Sequence, residues 1–209
     1  MNYLQASEYE AFGLEQATPA AWITAASALM DTYCRRATLG VAQYSERLRV
    51  TSGRATVRLS YLPLAAVAPA TTPVVSARVR YGEARRGEMY SFAELASDVA
   101  RAFSLPGTWT DLDPASFDCF ADTGEVTLPA NPLGLAFNEV EITYNAGLAV
   151  LPSSVKTACA QIVRNAQATP ALTVQRSRID TMQMMYFADS LLDSDVRRML
   201  APYVAQKVG

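Results

Sequence analysis

Ser153, Ser154, Val155 and Lys156 stand in the S-x-x-K pattern at a helix start, a spacing that lets a lysine amine take the proton of a serine hydroxyl. The same four residues also read as a plain helix N-terminus whose serines cap free backbone N–H groups. No S-D-N or K-T-G companion accompanies the pattern. The chain has no histidine, which removes the Ser-His-Asp triad, the Cys-His pair and the imidazole metal site together. Asp111 with Asp113, and Asp118 with Asp122, do not fit the alternating oxygen-ligand loop of a calcium site, and their spacing suits turns and caps. Gly82 to Gly87 is followed by Glu88 rather than Lys-Ser or Lys-Thr, so no phosphate-cradling loop is present. The sequence therefore calls for no cofactor and no metal.

Two sets of residues suggest surface work instead. Arg47, Arg49, Arg58, Arg78 and Arg80 fall on polar strand faces, with Glu139 and Glu141 available as partners. They form either a salt-bridged, solvated sheet face or a basic wall beside DNA. Met182, Met184, Met185, Tyr186 and Phe187 either cap the domain's own core or make an adaptable protein interface near the chain end.

The formal net charge of -2, without any run of five like charges, excludes wrapping of nucleic acid by a global field and leaves only local DNA contact. Half of the 209 residues are hydrophobic and 18% are charged, a globular balance apolar enough for a partner to cover part of the surface. Cys34, Cys119 and Cys159 are odd in number and lack CxxC spacing, so buried free thiols in a reducing compartment are expected. Glu8, Glu10 and Glu15 stand where a secretory signal needs a basic start, and no apolar run has membrane-spanning length.

The elements that hold these residues follow from periodicity. Residues 3 to 12 suit a short helix ended by Gly13. Thr18 and Pro19 then open a helix whose apolar stripe is Trp22, Ile23, Ala26, Leu29, Met30, Tyr33 and Ala37, with Arg35 and Arg36 in its last turn. Period-two alternation around Ser52-Gly53 predicts a β-hairpin over 43 to 61, and Val75 to Tyr81 predicts another strand of the same sheet. Residues 82 to 115 read as an excursion containing one helix, opened by the capping box Ser91 and Glu94. Strand signals resume around Asp122-Thr123-Gly124 and over Glu139 to Tyr144, for four to six strands in all. From Pro152 an amphipathic helix carries Val155, Ala158, Cys159, Ile162, Val163 and Ala166 on one face and stops near Pro170. A polar arm and a short helix capped by Asp193 or Ser194 follow. The fold class is α+β: a helical core of two to four helices, an antiparallel sheet or hairpins, and an extended C-terminal arm. Residues 1–169 form the domain, with an insertion at 82–115, and 170–209 form the arm.

One succession is more specific. Ala26, Ser27, Leu29, Met30, Asp31, Tyr33 and Arg36 on the first helix are followed by the hairpin. Then come Val140 to Tyr144 with Ala146 and Gly147, and Pro152, Val155, Lys156 and Ala158. This order resembles the head-to-tail connector, or adaptor, proteins of long-tailed bacteriophages and gene-transfer particles, best over residues 20 to 62 and 138 to 168. The resemblance implies a non-catalytic virion protein assembled in the host cytoplasm. Such a subunit forms a dodecameric ring under the portal, extends the DNA channel and offers a docking surface to the stopper or tail. On that implication its partners are itself, portal, the stopper or tail protein and passing double-stranded DNA, with no membrane. Arg47, Arg49, Arg58, Arg78 and Arg80 are then the candidate channel residues. Arg176, Arg178, Met184, Tyr186, Phe187 and Tyr203 are the candidate portal-docking residues. The rival expectations are a small serine hydrolase using Ser153 and Lys156, and an assembly or binding module that forms no ring.

Overall fold

A computed structural model describes residues 1–50, 55–80, 108–129, 137–168, 176–179, 182–185 and 191–206. The fold is α+β, as expected: among the described residues there are three α-helices and nine short strands in three antiparallel sheets. The chain divides into two compact units, Met1–Gly40 with Val150–Ala205, and Val41–Ala149 with Gln206–Gly209. The expected division at residue 169 differs from this one. The first unit is closed by both ends of the chain, because the apolar faces that need each other lie on helices far apart in sequence.

In the first unit, helix α1 (Ala20–Cys34) packs against α2 (Ser153–Ala168). The buried face of α1 is Ile23, Ala26, Ser27, Met30 and Cys34, and that of α2 is Val155, Ala158, Cys159, Ala160, Ile162 and Val163. The stripe predicted for α1 is thus rotated: Trp22 and Ala37 are exposed, and Ser27 sits inside, satisfied by donating to the Ile23 carbonyl and accepting from the Tyr3 N–H. Ser27 can be buried because both its donor and its acceptor are used locally. Pro19 is the N-cap rather than the first helical residue. The helix ends a turn earlier than the arginines suggest, since Arg35 takes a left-handed conformation at φ 55° as the C-cap. Before α1, residues 3 to 12 form two 3-10 turns in place of one helix, stopped by Gly13 at φ 75°. Tyr3 ties this segment down through hydrogen bonds with Asp31, Thr38 and the Leu39 N–H. Burial and the Asp31 carboxylate push its hydroxyl up to about 12.

Helix α3 (Ser194–Leu200) belongs to this unit as well. Asp193 caps it by accepting from the Val196 N–H at 2.7 Å, and Asn165 of α2 donates to the same side chain at 3.0 Å. Val196 and Leu200 are fully buried, and the Ala205 N–H reaches the Cys34 carbonyl. The last part of the expected arm is therefore core. Between α2 and α3, strands β8 (Arg176–Ile179) and β9 (Met182–Met185) form a hairpin that, among the described residues, pairs only with itself.

The second unit holds a four-stranded sheet in the order β1 (Ala42–Arg49), β7 (Glu139–Ala146), β3 (Val74–Arg80), β4 (Thr110–Leu112). A three-stranded sheet runs β2 (Thr56–Arg58), β6 (Glu125–Thr127), β5 (Asp118–Phe120). The hairpin predicted over 43 to 61 is therefore not formed: β1 pairs with β7 and β2 with β6. β7 can take the central place because Val140, Ile142, Tyr144 and Ala146 offer a longer unbroken apolar face than the short β2 does. β3 joins the sheet as expected, with a register shift at Val74/Ser76 that leaves Val75 exposed. The excursion is shorter than expected, since Thr110–Leu112 belong to the sheet; the helix expected at 91–103 lies outside the described residues. The turn at Asp122 to Gly124 joins β5 and β6 as predicted, with Gly124 at φ 70°. Cys34 and Cys159 are buried free thiols, whereas Cys119 is only half-buried.

Candidate functional site

The outer face of the four-stranded sheet brings together four arginines and three carboxylates, Glu139, Glu141 and Asp111. Central strand β7 sends Glu139 and Glu141 to this face, and both neighbours answer with arginines. In register, Glu139 lies between Arg49 and Arg80, and Glu141 between Arg47 and Arg78. Such flanking follows directly from period two on three adjacent strands. Arg80 Nε reaches Glu139 Oε2 at 2.6 Å, Arg47 Nη2 reaches it at 2.8 Å, and Arg49 lies 3.7 Å from Oε1. Arg78 Nη2 meets Glu141 at 2.8 Å and faces Asp111 across β4.

Over these guanidiniums lies Trp109, with ring centroid distances of 4.7 Å to Arg80, 4.9 Å to Arg78 and 5.4 Å to Arg47. The indole ring attracts all three cations. Beside it, Ser76, Arg78, Asp111, Glu141 and Thr143 line an open polar recess of about 340 Å³. Burial pushes the Glu139 carboxyl up, but hydrogen bonds from Arg80 and Arg47 outweigh it and hold the group below the usual range.

Four of the five predicted channel arginines thus meet on one face. Arg58 does not: it lies on β2 of the other sheet, where its Nε donates to the Thr123 carbonyl at 3.1 Å and Glu125 stands opposite. Periodicity could not separate the two sheets, because the alternation reads the same in each. Trp109 escaped notice because it sits in a turn-rich stretch without period.

Glu46 is a second residue that periodicity missed, although it falls between Tyr44 and Leu48 on the inward face of β1. Its carboxylate accepts from the Ser60 hydroxyl at 2.9 Å and from the Tyr144 hydroxyl at 2.5 Å. The Tyr61 N–H in turn donates to the Tyr144 oxygen at 3.2 Å, and the Tyr61 ring stacks on Tyr44 at 3.9 Å. Burial and the nearby carboxylate drive the Tyr144 hydroxyl far above its ordinary value, so it stays a donor. This network fixes the segment after β2 to the sheet; it is structural.

The S-x-x-K pair has a different partner from the one catalysis needs. Lys156 Nζ pairs with Glu8 Oε1 at 2.5 Å. Of the portal-docking candidates, Arg176 and Arg178 lie on β8 and Met184 on β9, while Tyr186 and Phe187 lie outside the described residues. Tyr203 closes a 3-10 turn after α3, and its carbonyl accepts from Arg36. Asp113 caps a 3-10 turn by accepting from the Ala115 N–H, the role its spacing predicts. Among the described residues no three His, Cys, Asp or Glu side chains gather where a metal ion could be held, and no helix is long and apolar enough to cross a membrane. No family model matches the chain, and no curated protein matches it in sequence.

Proposed function

We propose that this chain is a ring-forming head-to-tail connector subunit of a long-tailed bacteriophage or gene-transfer particle, without catalytic activity, placed at the virion neck between portal and tail. The ring, dodecameric on the family pattern, extends the DNA channel and presents a docking surface to the stopper or tail protein. The observation that carries this reading is the β8–β9 hairpin. Its two strands pair only with each other among the described residues, while the helices on either side are fastened in the core. A lone two-stranded hairpin is marginal in water, so a hairpin whose outer edges are unpaired among the described residues is suited to pairing with a partner. Portal docking falls to β9, through Met184, and to Tyr186 and Phe187 beyond it; Tyr203 contributes less, being tied to Arg36.

The arginine face is the candidate channel lining. Among the described residues, four guanidiniums against Glu139, Glu141 and Asp111 leave a small net positive charge on that face. Contact with passing DNA through such a face is weak, salt-sensitive and indifferent to base sequence.

Negative-stain imaging of the purified protein at high concentration, alone and with portal, tests the proposal. Rings that stack under portal support it. Deletion of residues 176–185, bridged by a short Gly-Ser linker, is expected to leave the melting temperature nearly unchanged and abolish portal binding. Full portal affinity in that deletion, or failure of the intact chain to form rings with portal, overturns it.

A further inference from the structure

Helix α1 turns no charge toward solvent. Over Ala20–Cys34 its one charged residue is Asp31, and that carboxylate accepts from the Tyr3 hydroxyl. The exposed residues of the helix are alanines, Trp22, Thr24 and Thr32, with Trp22 exposed to 41%. Even the two threonine hydroxyls donate to carbonyls of their own helix, at Ala20 and Ala28. A surface helix ordinarily turns charged residues outward, and one that does not is covered by a further element. On the same helix Trp22, Ala25 and Leu29, with Ile162 and Val163 of α2 and Leu191, line an apolar groove of about 210 Å³. Asn165 donates to the Leu191 carbonyl at 3.3 Å and fixes that wall.

The second unit carries a projection of matching chemistry between β2 and β3. No charged residue occurs from Leu59 to Ala77, and within that run Ala66 to Thr71 are all exposed, Val67 to 46%. The tip is a turn closed by the Ala70 N–H on the Val67 carbonyl at 2.9 Å. Both roots are pinned: the Leu64 N–H donates to the Ala121 carbonyl, the Ala65 N–H to the Asn145 carbonyl, and the Asn145 N–H to the Pro73 carbonyl. A tip held in this way is ordered before it meets a partner and loses little freedom on docking. An apolar cavity of roughly 150 Å³ takes up a benzene molecule, so the groove has room for the Val67 side chain and part of the Pro69 ring.

We infer that the Val67–Ala70 turn of one copy seats in the groove between α1 and α2 of a second copy, with Val67 against Trp22 and Ala25. Neither surface brings a charge that must be stripped of water, which suits the apolar contacts that copies of one chain make with each other. The joint is heterologous: each copy gives its turn to one neighbour and its groove to the other, the type of contact that closes into a ring by rotation. The inference rests on the ring reading only in supposing that copies meet head to tail, and its test needs no portal.

Self-association of the intact chain is measured by sedimentation velocity over a concentration series, for wild type, Val67→Asp, Ala25→Lys and the double variant, with thermal melts showing that each folds. Both positions are exposed in the single chain, so the melts are expected to stay near wild type. Each single variant is expected to weaken association roughly tenfold or more, because an unpaired charge is then buried in the joint, and the double variant is expected to recover most of it by pairing the two charges. Wild-type association is expected to hold or tighten in sulfate, as apolar contacts do, whereas an ionic contact loosens as salt rises. Undiminished association in either single variant, no recovery in the double variant, loss of wild-type association in sulfate, or a wild type that stays monomeric at every concentration overturns the inference. Portal binding by the same proteins separates the two proposals. A chain that docks on portal in rings but ignores the charge exchange sinks the joint and leaves the connector reading standing; one that follows the charge exchange but never binds portal does the reverse.

Discussion

Replacing Glu139 by Gln removes the charge that gathers the arginine face. The Glu139 side chain is only 8% exposed, and two guanidiniums lie within 2.8 Å of it. Taking one partner from a fully buried ion pair costs roughly 3–5 kcal/mol. Here Arg80, Arg49 and Arg47 keep 23%, 38% and 52% exposure, so water can solvate much of what the glutamate leaves behind. The expected loss is about 1–2 kcal/mol, a fall in melting temperature of roughly 2–8 °C for a chain of this size. The pH dependence has a definite sign. Burial raises the Glu139 carboxyl, but hydrogen bonds from Arg80 and Arg47 more than offset it, so its folded value lies below the ordinary 4.5. A lowered carboxylate stabilises the fold fully above its unfolded value and loses that contribution as pH falls through the folded one. Circular-dichroism melts of both proteins at pH 7 and down a series below pH 4.5 should therefore show a gap that narrows with acid. Equal melting temperatures at pH 7, or a gap that holds constant into acid, would refute the assignment of Glu139 as the anchor of the face.

Ile162→Asp puts an unpaired carboxylate at a 2% exposed position between α1 and α2, and is expected to cost several kcal/mol and unfold the first unit, read by loss of helical ellipticity. Tyr144→Phe leaves the Tyr61 N–H and the Glu46 carboxylate each short of a partner, for a loss of about 1–3 kcal/mol in chemical denaturation. Truncation after residue 190 strips away buried Val196 and Leu200 and is expected to lower the melting temperature by several degrees, in contrast to removal of the 176–185 hairpin.

The helices and most strands were legible because their signals are local. Val155 to Val163 keep a 3.6-residue period, Val140 to Tyr144 alternate, and Asp193 caps its helix where a cap was expected. Most failures share a cause, which is that pairing partners lie far off in sequence. Ser52-Gly53 carries good turn chemistry, yet Arg49 pairs with Glu139, not with a residue just past the turn. Trp109 joins the arginine face only because β4 returns to β3 after a long excursion, and nothing within ten residues of Trp109 signals it. Arg35 ends α1 in a left-handed conformation that asparagine or glycine would have announced and arginine does not. In the C-terminal segment the buried faces of Val196 and Leu200 could be assigned to the domain's own core only once α2 was beside them.

The first unit is made of Met1–Gly40 and Val150–Ala205, with the whole of 41–149 between them. During synthesis α1 leaves the ribosome with Ile23, Met30 and Cys34 uncovered, and α2 follows only after those intervening residues have emerged. At 5–20 residues per second that interval is roughly 5–20 s. The described strands of the sheet unit have all been made by Ala149, before α2, so the sheet unit is complete ahead of the first unit. The apolar face of α1 waits in the open throughout, which makes it the segment that a nascent-chain chaperone meets and the point from which a slowed or truncated product aggregates.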